Sequence, residues 1–188
     1  EAHRLGVKSN FTIYDTQDSL RLITLILRDF NIDAKNTRPR MVLSRISSAK
    51  NELVDHETFL TNTQLASDKE AAIESVIAQI YREYQNRLNL ANAFDFDDLI
   101  GSTVALLQLF PEVANMYRRR FRQIMVDEYQ DTNHAQYMLI KELVGTVAVS
   151  PDSPPPGELC VVGDADQSIY AFRGATIRNI EEFERDYP

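Results

Sequence analysis

A chain of 188 residues with 44% apolar side chains is long enough for one ordinary domain or two small ones, each with its own core. Its net charge of −8 excludes a globally basic nucleic-acid coat, but it leaves room for a local groove of a few arginines and aromatic rings. No segment approaches the roughly 20 apolar residues of a membrane span and no signal peptide is visible, so we predict a soluble, cytoplasmic protein without a membrane partner.

The first half of the chain shows helical periodicity. Asp15 or Thr16 can cap a first helix, and Pro39 suits the first turn of a second. Residues 67–70, with the sequence SDKE, form a capping box that starts a third helix. One apolar stripe follows that box and predicts packing rather than a cofactor site: Ile73, Val76, Ile77, Ile80, Tyr81, Tyr84 and Leu88. We therefore predict a helical subdomain over residues 15–93.

The pattern changes at residues 94–99, which read FDFDDL. This segment predicts the start of a helix, with Asp95 as its cap and further acids in the first turn. Pro111 ends that helix or opens the next one. Four arginines then cluster before an apolar run: Arg118, Arg119, Arg120 and Arg122. Such a cluster is usually a solvated face, and contact with a phosphate backbone is the alternative.

Two short apolar runs, at residues 123–126 and 159–162, each end in acidic and polar residues. A run of about four apolar residues between polar ones is typical of a buried parallel strand. Cys160 lies inside the second run and is predicted to pack in the core. Asn133 can cap a helix between the runs, residues 145–157 indicate an exposed loop, and a last helix is predicted from about Thr176. Strands that alternate with helices predict an α/β fold with a parallel sheet.

The carboxyl ends of such strands hold the ligands of parallel sheets, and here they carry chemistry. Asp127 can hold Mg²⁺, and Glu128 can orient or deprotonate an attacking water. Gln167 is suited to sense a γ-phosphate or a water. Three residues beyond it could grip bases and phosphates, although the aromatic pair among them is by itself more typical of a core: Tyr170, Phe172 and Arg173.

A phosphate-binding loop is absent from this sequence. Such a loop needs glycines followed by Lys and then Ser or Thr, and none of the six glycines precedes a lysine. The chain is therefore either no phosphate-loop protein or a piece of one. The helical character of both ends of the chain favours a piece.

The sequences VDEYQDTN at 126–133 and VGDADQSIY at 162–170 closely resemble motif II (Walker B) and motif III of the UvrD/PcrA/Rep family of superfamily 1 DNA helicases. The resemblance spans essentially the whole chain. It implies a mostly helical α/β fold, namely a partial RecA-like (P-loop NTPase) parallel sheet with an all-helical inserted subdomain. Residues 1–14 would end a preceding motor-domain segment. Residues 15–93 would be subdomain 1B, and residues 94–188 the C-terminal part of motor domain 1A with motifs II and III.

The resemblance also implies roles for the candidate site residues. ATP and Mg²⁺ would bind at three of them, with Asp127 ligating the metal, Glu128 acting as general base and Gln167 contacting the γ-phosphate and its attacking water. Tyr170 and Phe172 would stack on single-stranded DNA, and the third DNA-binding residue, Arg173, would link DNA to the ATP site. The family often has Trp where Phe172 stands, preceded by Arg where Ala171 stands. The smaller ring predicts weaker stacking.

The implied parent protein is an ATP-dependent 3′→5′ DNA helicase or translocase of DNA repair or replication restart. It would act on single-stranded DNA and single-strand/double-strand junctions, associate with the nucleoid and have repair proteins as candidate partners. The 188-residue chain alone is predicted to be inactive, because it lacks the phosphate loop and the second motor domain. Two alternatives stay open: a helicase–nuclease subunit of recombinational repair, and a non-catalytic module that binds DNA or a partner protein.

Overall fold

The computed structural model describes residues 1–33, 37–65, 69–145 and 153–167, together with residues 183 and 185. The chain divides into two compact units, Glu1–Leu99 and Ile100–Pro188, each with its own hydrophobic cluster. This division lies a few residues beyond the predicted boundary at 93/94. The assignment of the two parts to subdomains of a motor protein stays a prediction.

Helices dominate both units. The elements in chain order up to the end of the first unit are a 3₁₀ helix Ala2–Leu5, β1 Thr12–Ile13, α1 Thr16–Asp29, α2 Pro39–Asn51, α3 His56–Leu65, α4 Lys69–Leu90, β2 Ala93–Phe94 and the start of α5 Phe96–Leu109. Those that follow are α6 Pro111–Arg120, β3 Gln123–Val126, a 3₁₀ helix Tyr129–Asp131, α7 His134–Val144, β4 Glu158–Val161 and a 3₁₀ helix Ala165–Gln167. The predicted mostly helical α/β character is confirmed.

The predicted starts of α1, α2 and α7 are confirmed, and those of α1 and α7 are confirmed by capping hydrogen bonds. The Asp15 carboxylate accepts from the backbone amides of Gln17 and Asp18, at 2.7 and 2.9 Å, and so caps α1. Pro39 occupies the first turn of α2. Asn133 and Gln136 form a reciprocal capping box at the start of α7. The capping box predicted at 67–70 lies partly outside the described residues, and α3 was not predicted.

The core of the first unit forms around α4. Five members of the predicted apolar stripe are buried against α1, α2 and α3, which confirms that the stripe is packing: Ile77, Ile80, Tyr81, Tyr84 and Leu88. Ile73 departs from the prediction, because 53% of it is exposed to solvent. It lies in the early turns of α4, before the buried part of the stripe begins.

Two short parallel strands, β1 and β2, pair at the point where the chain enters and leaves the helical region α1 to α4. Thr12 pairs with Ala93 and Ile13 pairs with Phe94, so the chain before α1 lies beside the chain after α4. Each strand has only two residues, which is too short for an alternating pattern to reveal it. The four helices α1 to α4 therefore form a segment whose two ends lie side by side.

A buried ion cluster fixes the start of α5. Lys50 Nζ lies 2.7 Å from Asp95 Oδ2 and 2.7 Å from Asp98 Oδ1, and only 5% of the lysine side chain is exposed. The Tyr84 hydroxyl donates to the same Asp95 oxygen at 3.0 Å. Asp95 Oδ1 also accepts from the Asp98 amide at 2.8 Å, which confirms Asp95 as the predicted cap. The helix start is thus tied to both α2 and α4.

Replacement of Asp97 by Asn is expected to raise the stability of the chain at neutral pH. Burial raises the pKa of the Asp97 carboxyl above its ordinary value of 3.8, against the hydrogen bond from Ser47 that lowers it. A carboxyl whose pKa is raised on folding holds its proton more tightly in the folded state, so stability falls as pH rises through that range. Urea unfolding at pH 7 and near pH 3 measures this. The gain should disappear at the lower pH, and an equal effect at both pH values would contradict the assignment.

In the second unit, β3 and β4 form a two-stranded parallel sheet in which Met125 pairs with Cys160. Successive side chains of a strand point to opposite faces, and here alternate residues are exposed. Met125 is 79% exposed and Cys160 is exposed as well. The prediction of fully buried strands with Cys160 in the core is therefore wrong for the described residues. Among the described residues, no further element covers the face of the sheet that carries these two side chains.

Two arginines of the basic cluster make bonds within the second unit that neither interpretation of the cluster foresaw. Arg118 donates to the Glu142 carbonyl at 2.7 Å and to its carboxylate at 3.0 Å. Arg122 donates to the carbonyls of Pro155 and Pro156 at 2.6 and 2.7 Å, which fastens the end of the proline-bearing loop beside β3. Residues 146–152 of that loop lie outside the described part of the chain.

Within the described residues, no helix alone has the length and apolar character to cross a membrane. Helices α5 and α6 reach that threshold only when taken together, and the chain bends by 106° between them.

Candidate functional site at the ends of two parallel strands

The segments that follow β3 and β4 lie at one edge of the small sheet. The strands are parallel, so both carboxyl ends point the same way. The Val162 amide donates to the Val126 carbonyl at 2.8 Å, and the Tyr129 amide donates to the Val162 carbonyl at 2.9 Å. These bonds continue the pairing past the ends of the strands. The structure therefore brings the two predicted motifs together.

Asp127 and Glu128 follow β3 directly, and both are exposed. The Asp127 Oδ1 atom accepts from the Glu128 amide at 2.9 Å. Glu128 has φ of 51° and ψ of 44°, the left-handed region that costs a residue with a side chain about 1–2 kcal/mol. Strained residues of this kind cluster at functional sites. The two adjacent carboxylates have different partners, since Asp127 accepts from the Glu128 amide and Glu128 accepts from the Gln130 side chain, and this suits the two separate roles predicted for them.

Gln130 joins the two strand ends through both atoms of its side-chain amide. Its Nε2 donates to Glu128 Oε2 at 2.7 Å, and its Oε1 accepts from the Asp164 backbone amide at 3.0 Å. Gln130 is only 3% exposed. A Cβ atom on Gly163 would lie 2.6 Å from Gln130 Oε1, so the absence of a side chain at Gly163 lets the amide approach.

Gln167 belongs to the same network. It ends the 3₁₀ helix Ala165–Gln167, and its Nε2 donates to Asp164 Oδ2 at 2.8 Å. The other carboxylate oxygen of Asp164 accepts from the Asp166 amide at 3.0 Å, which holds the turn. The predicted phosphate sensor and the predicted general base are thus connected through Asp164 and Gln130.

The predicted DNA-binding residues Tyr170, Phe172 and Arg173 lie outside the described residues, and their roles stay predictions. In the last predicted helix, residues 183 and 185 are described, and both are helical. The ring of Phe183 packs edge-on against the buried Tyr129, with 5.5 Å between centroids. This contact connects the chain after motif III to the turn that follows β3.

The acidic residues fit a magnesium ion shared with a phosphate better than a metal held by protein alone. Among the described residues, no group of three or more His, Cys, Asp or Glu side chains could hold a metal. Mg²⁺ is commonly bound by one or two carboxylates, with phosphates and waters as its other ligands. An exposed Asp127 carboxylate at the end of a strand meets that requirement.

Sequence reasoning missed Gln130 and Asp164 as members of the site. Both were visible within the two polar segments, but nothing in the spacing of either segment shows that one amide bridges them. The nearest signal was Gly163, since a glycine directly after an apolar strand indicates a close approach of another group. Which group approaches depends on the register of β3 against β4, and the structure supplies that register.

The sequence of this chain is similar to the sequences of known DNA helicases. A family model described as the UvrD/REP helicase N-terminal domain matches residues 1–188. Over 183 residues the chain is 61% identical to the ATP-dependent DNA helicase UvrD1 of Mycobacterium bovis, which covers 97% of this chain and 23% of that protein. Identity to the ATP-dependent DNA helicase PcrA of Bacillus subtilis is 46% over 185 residues, or 98% of this chain and 23% of that protein.

PcrA of Staphylococcus aureus is 44% identical over 190 residues, which cover 100% of this chain and 24% of that protein. The chain therefore spans about a quarter of the length of the curated relatives that it matches.

Proposed function

Because the chain belongs to the UvrD/REP helicase family, we propose that it forms part of an ATP-dependent DNA helicase, here called the parent protein. The observation that carries this proposal is the network at the sheet edge. It joins Glu128, at the end of β3, to Gln167, beyond the end of β4, and both lie in the segments that resemble motifs II and III. Catalysis of phosphoryl transfer depends mostly on positioning, so a base and a phosphate sensor joined at one edge of a sheet can act on the same nucleotide.

Each predicted residue has one task in this proposal. Asp127 would hold Mg²⁺, and the bound ion would supply positive charge to neutralise the phosphate oxygens of ATP. Glu128 takes the proton of the attacking water, and Gln167 donates to the γ-phosphate or to that water. Tyr170 and Phe172 stack on bases of single-stranded DNA, and Arg173 links this grip to the nucleotide.

The architecture supports the same proposal. In this proposal the parallel sheet β3–β4 forms part of a RecA-like sheet of motor domain 1A, and helices α1 to α4, which lie between the paired strands β1 and β2, form subdomain 1B. The exposed face with Met125 and Cys160 is then covered by the rest of the parent protein. The proposed setting is the nucleoid in the cytoplasm. There the enzyme acts in repair or replication restart on single-stranded DNA and its junctions, together with repair proteins.

Strand displacement by the parent protein tests the activity and its direction. A duplex with a 3′ single-stranded tail should be unwound when ATP and Mg²⁺ are present, and a duplex with only a 5′ tail should not. Unwinding of the 5′-tailed duplex alone would contradict the 3′→5′ proposal. Cleavage of the labelled strand would instead identify the helicase–nuclease alternative.

The 188-residue chain by itself is expected to show no ATP turnover. Its sequence contains no Gly-Lys pair with which a phosphate loop could hold the β- and γ-phosphates, so ATP has no anchor beside Glu128. Release of phosphate by the purified chain, with and without single-stranded DNA, is the measurement. The matched control is the same chain with Glu128→Gln. Turnover that this substitution abolishes would show that the chain hydrolyses ATP on its own.

A further inference from the structure

We propose that Gln130 is a positioning residue that makes the orientation of the Glu128 carboxylate depend on the position of the Asp164–Gln167 segment. This inference rests on the proposed function, because it assigns a consequence to a bond that ends on the general base. The proposed role is regulatory: the position of Gln167, the phosphate sensor, sets the orientation of the carboxylate of Glu128, the base.

The connection consists of three hydrogen bonds in series. Gln167 Nε2 donates to Asp164 Oδ2 at 2.8 Å, and the Asp164 amide donates to Gln130 Oε1 at 3.0 Å. Gln130 Nε2 then donates to Glu128 Oε2 at 2.7 Å. A displacement of Gln167 on phosphate binding or release therefore reaches Glu128 through two side chains and one backbone amide.

The chemistry of glutamine suits the central position. The Asp164 amide requires an acceptor, and the Glu128 carboxylate requires a donor, so the bridging group must offer one of each. A rotation that exchanged the oxygen and nitrogen of the Gln130 amide would break both bonds at once. Because Gln130 is buried, water cannot readily replace either partner. The amide therefore transmits position rather than merely filling space.

Two further observations support the role of Gln130 as a bridge between Glu128 and Asp164. Gly163 leaves room for it, since a Cβ atom there would meet Gln130 Oε1 at 2.6 Å. Glu128 itself is exposed and lies in a strained left-handed turn, so its side chain needs a specific partner to hold one direction. The Gln130 bond holds Oε2, and this assigns Oε1 to the attacking water.

The test uses the parent protein with Gln130→Met, which keeps the size of the side chain and removes both bonds. We expect kcat for DNA-stimulated ATP hydrolysis to fall by about 10- to 100-fold, because misplacement of a catalytic group by about 1 Å has effects of that size. KM for ATP should stay within about twofold, since Gln130 does not touch the nucleotide in this account. Gln123→Met is the matched control, because Gln123 lies at the start of β3, away from the strand ends where the two motifs meet, and its side chain also donates to a glutamate, Glu158, at 3.1 Å.

A second variant separates the two halves of the bridge. Gln130→Glu keeps an oxygen for the Asp164 amide but sets a carboxylate oxygen against Glu128, so kcat should fall although the bond to Asp164 persists. Gly163→Ala should lower kcat by displacing the same amide, and its effect should shrink in the Gln130→Met background. If Gln130→Met fails to fold, Gln130→Glu alone decides the question by the same criteria.

The outcomes for Gln130 and for the proposed function can be told apart by Glu128→Gln, measured in parallel. If Gln130→Met lowers kcat in the wild-type protein but lowers the residual kcat of Glu128→Gln no further, the two residues act in one step and the inference stands. Wild-type kcat in Gln130→Met, beside a Glu128→Gln protein slowed by about 10²-fold or more, overturns the inference and leaves the proposed function intact. A loss in Gln130→Met that raises KM and lowers Tm together assigns Gln130 a structural role, which also overturns it. A Glu128→Gln rate above about a tenth of the wild-type rate overturns the proposed base itself.

Discussion

ATP turnover by the parent protein is expected to fall by about 10²- to 10⁴-fold when Glu128 is replaced by Gln, which is the range that general-base catalysis contributes. The amide keeps the size of the side chain and one oxygen, so the hydrogen bond from Gln130 can persist. What disappears is the capacity to accept a proton from water. The measurement is the steady-state rate of phosphate release with saturating single-stranded DNA, beside the affinity for a fluorescent ATP analogue, which should change little.

Glu158→Gln is the matched control for that variant. Glu158 is an exposed glutamate at the start of β4, away from the edge where the two motifs meet, and it accepts a hydrogen bond from Gln123 at 3.1 Å. Its replacement should leave turnover unchanged. A Glu128→Gln protein that retains more than about a tenth of the wild-type rate would remove Glu128 from the role of general base.

Replacement of Lys50 by Met is expected to destabilise the first unit by about 3–5 kcal/mol, the loss typical when one partner of a buried ion cluster is removed. The lysine is the cation that Asp95 and Asp98 share, and its ammonium also lies 5.1 Å from the centre of the Tyr84 ring. Without it, two carboxylates stay buried with no compensating charge. Urea unfolding of the 188-residue chain measures the loss, because the whole cluster lies within Glu1–Leu99.

Two companion variants show whether burial causes the effect. Arg45→Met breaks the pair with Glu74, in which the arginine side chain is 48% exposed, and should cost no more than about 1 kcal/mol. Adding Asp95→Asn and Asp98→Asn to Lys50→Met should restore part of the lost stability, because the uncompensated charges are gone. Equal losses in the Lys50→Met and Arg45→Met chains would contradict a buried cluster.

The helices of this chain could be predicted because their signals are local. Asp15 and Asn133 cap their helices through amides two or three residues away, and the stripe on α4 needs only a period of 3.6 residues to be recognised. The ion cluster could not be predicted, since Lys50 and Asp95 are 45 residues apart in the sequence. Capping alone explains an aspartate at a helix start, so the sequence FDFDDL at residues 94–99 does not indicate that a buried lysine pairs with it.

The same distinction applies to the site. Asp127 and Glu128 follow an apolar run directly, and that local pattern was enough to single them out. The bridge through Gln130 depends on how β3 and β4 are paired, and 34 residues separate Gln130 from Asp164. Burial of the strands was predicted wrongly for a related reason. Whether Met125 and Cys160 are covered depends on elements beyond the two strands themselves.

We propose that this chain carries the carboxylates of the DNA-driven ATP hydrolysis site of the parent protein. The most direct test is ATP hydrolysis by the parent protein with and without single-stranded DNA, beside its Glu128→Gln variant. Strong stimulation by DNA is expected in the wild-type protein, and its loss is expected in the variant. An ATPase rate that DNA leaves unchanged would contradict the motor assignment and would favour a non-catalytic binding role.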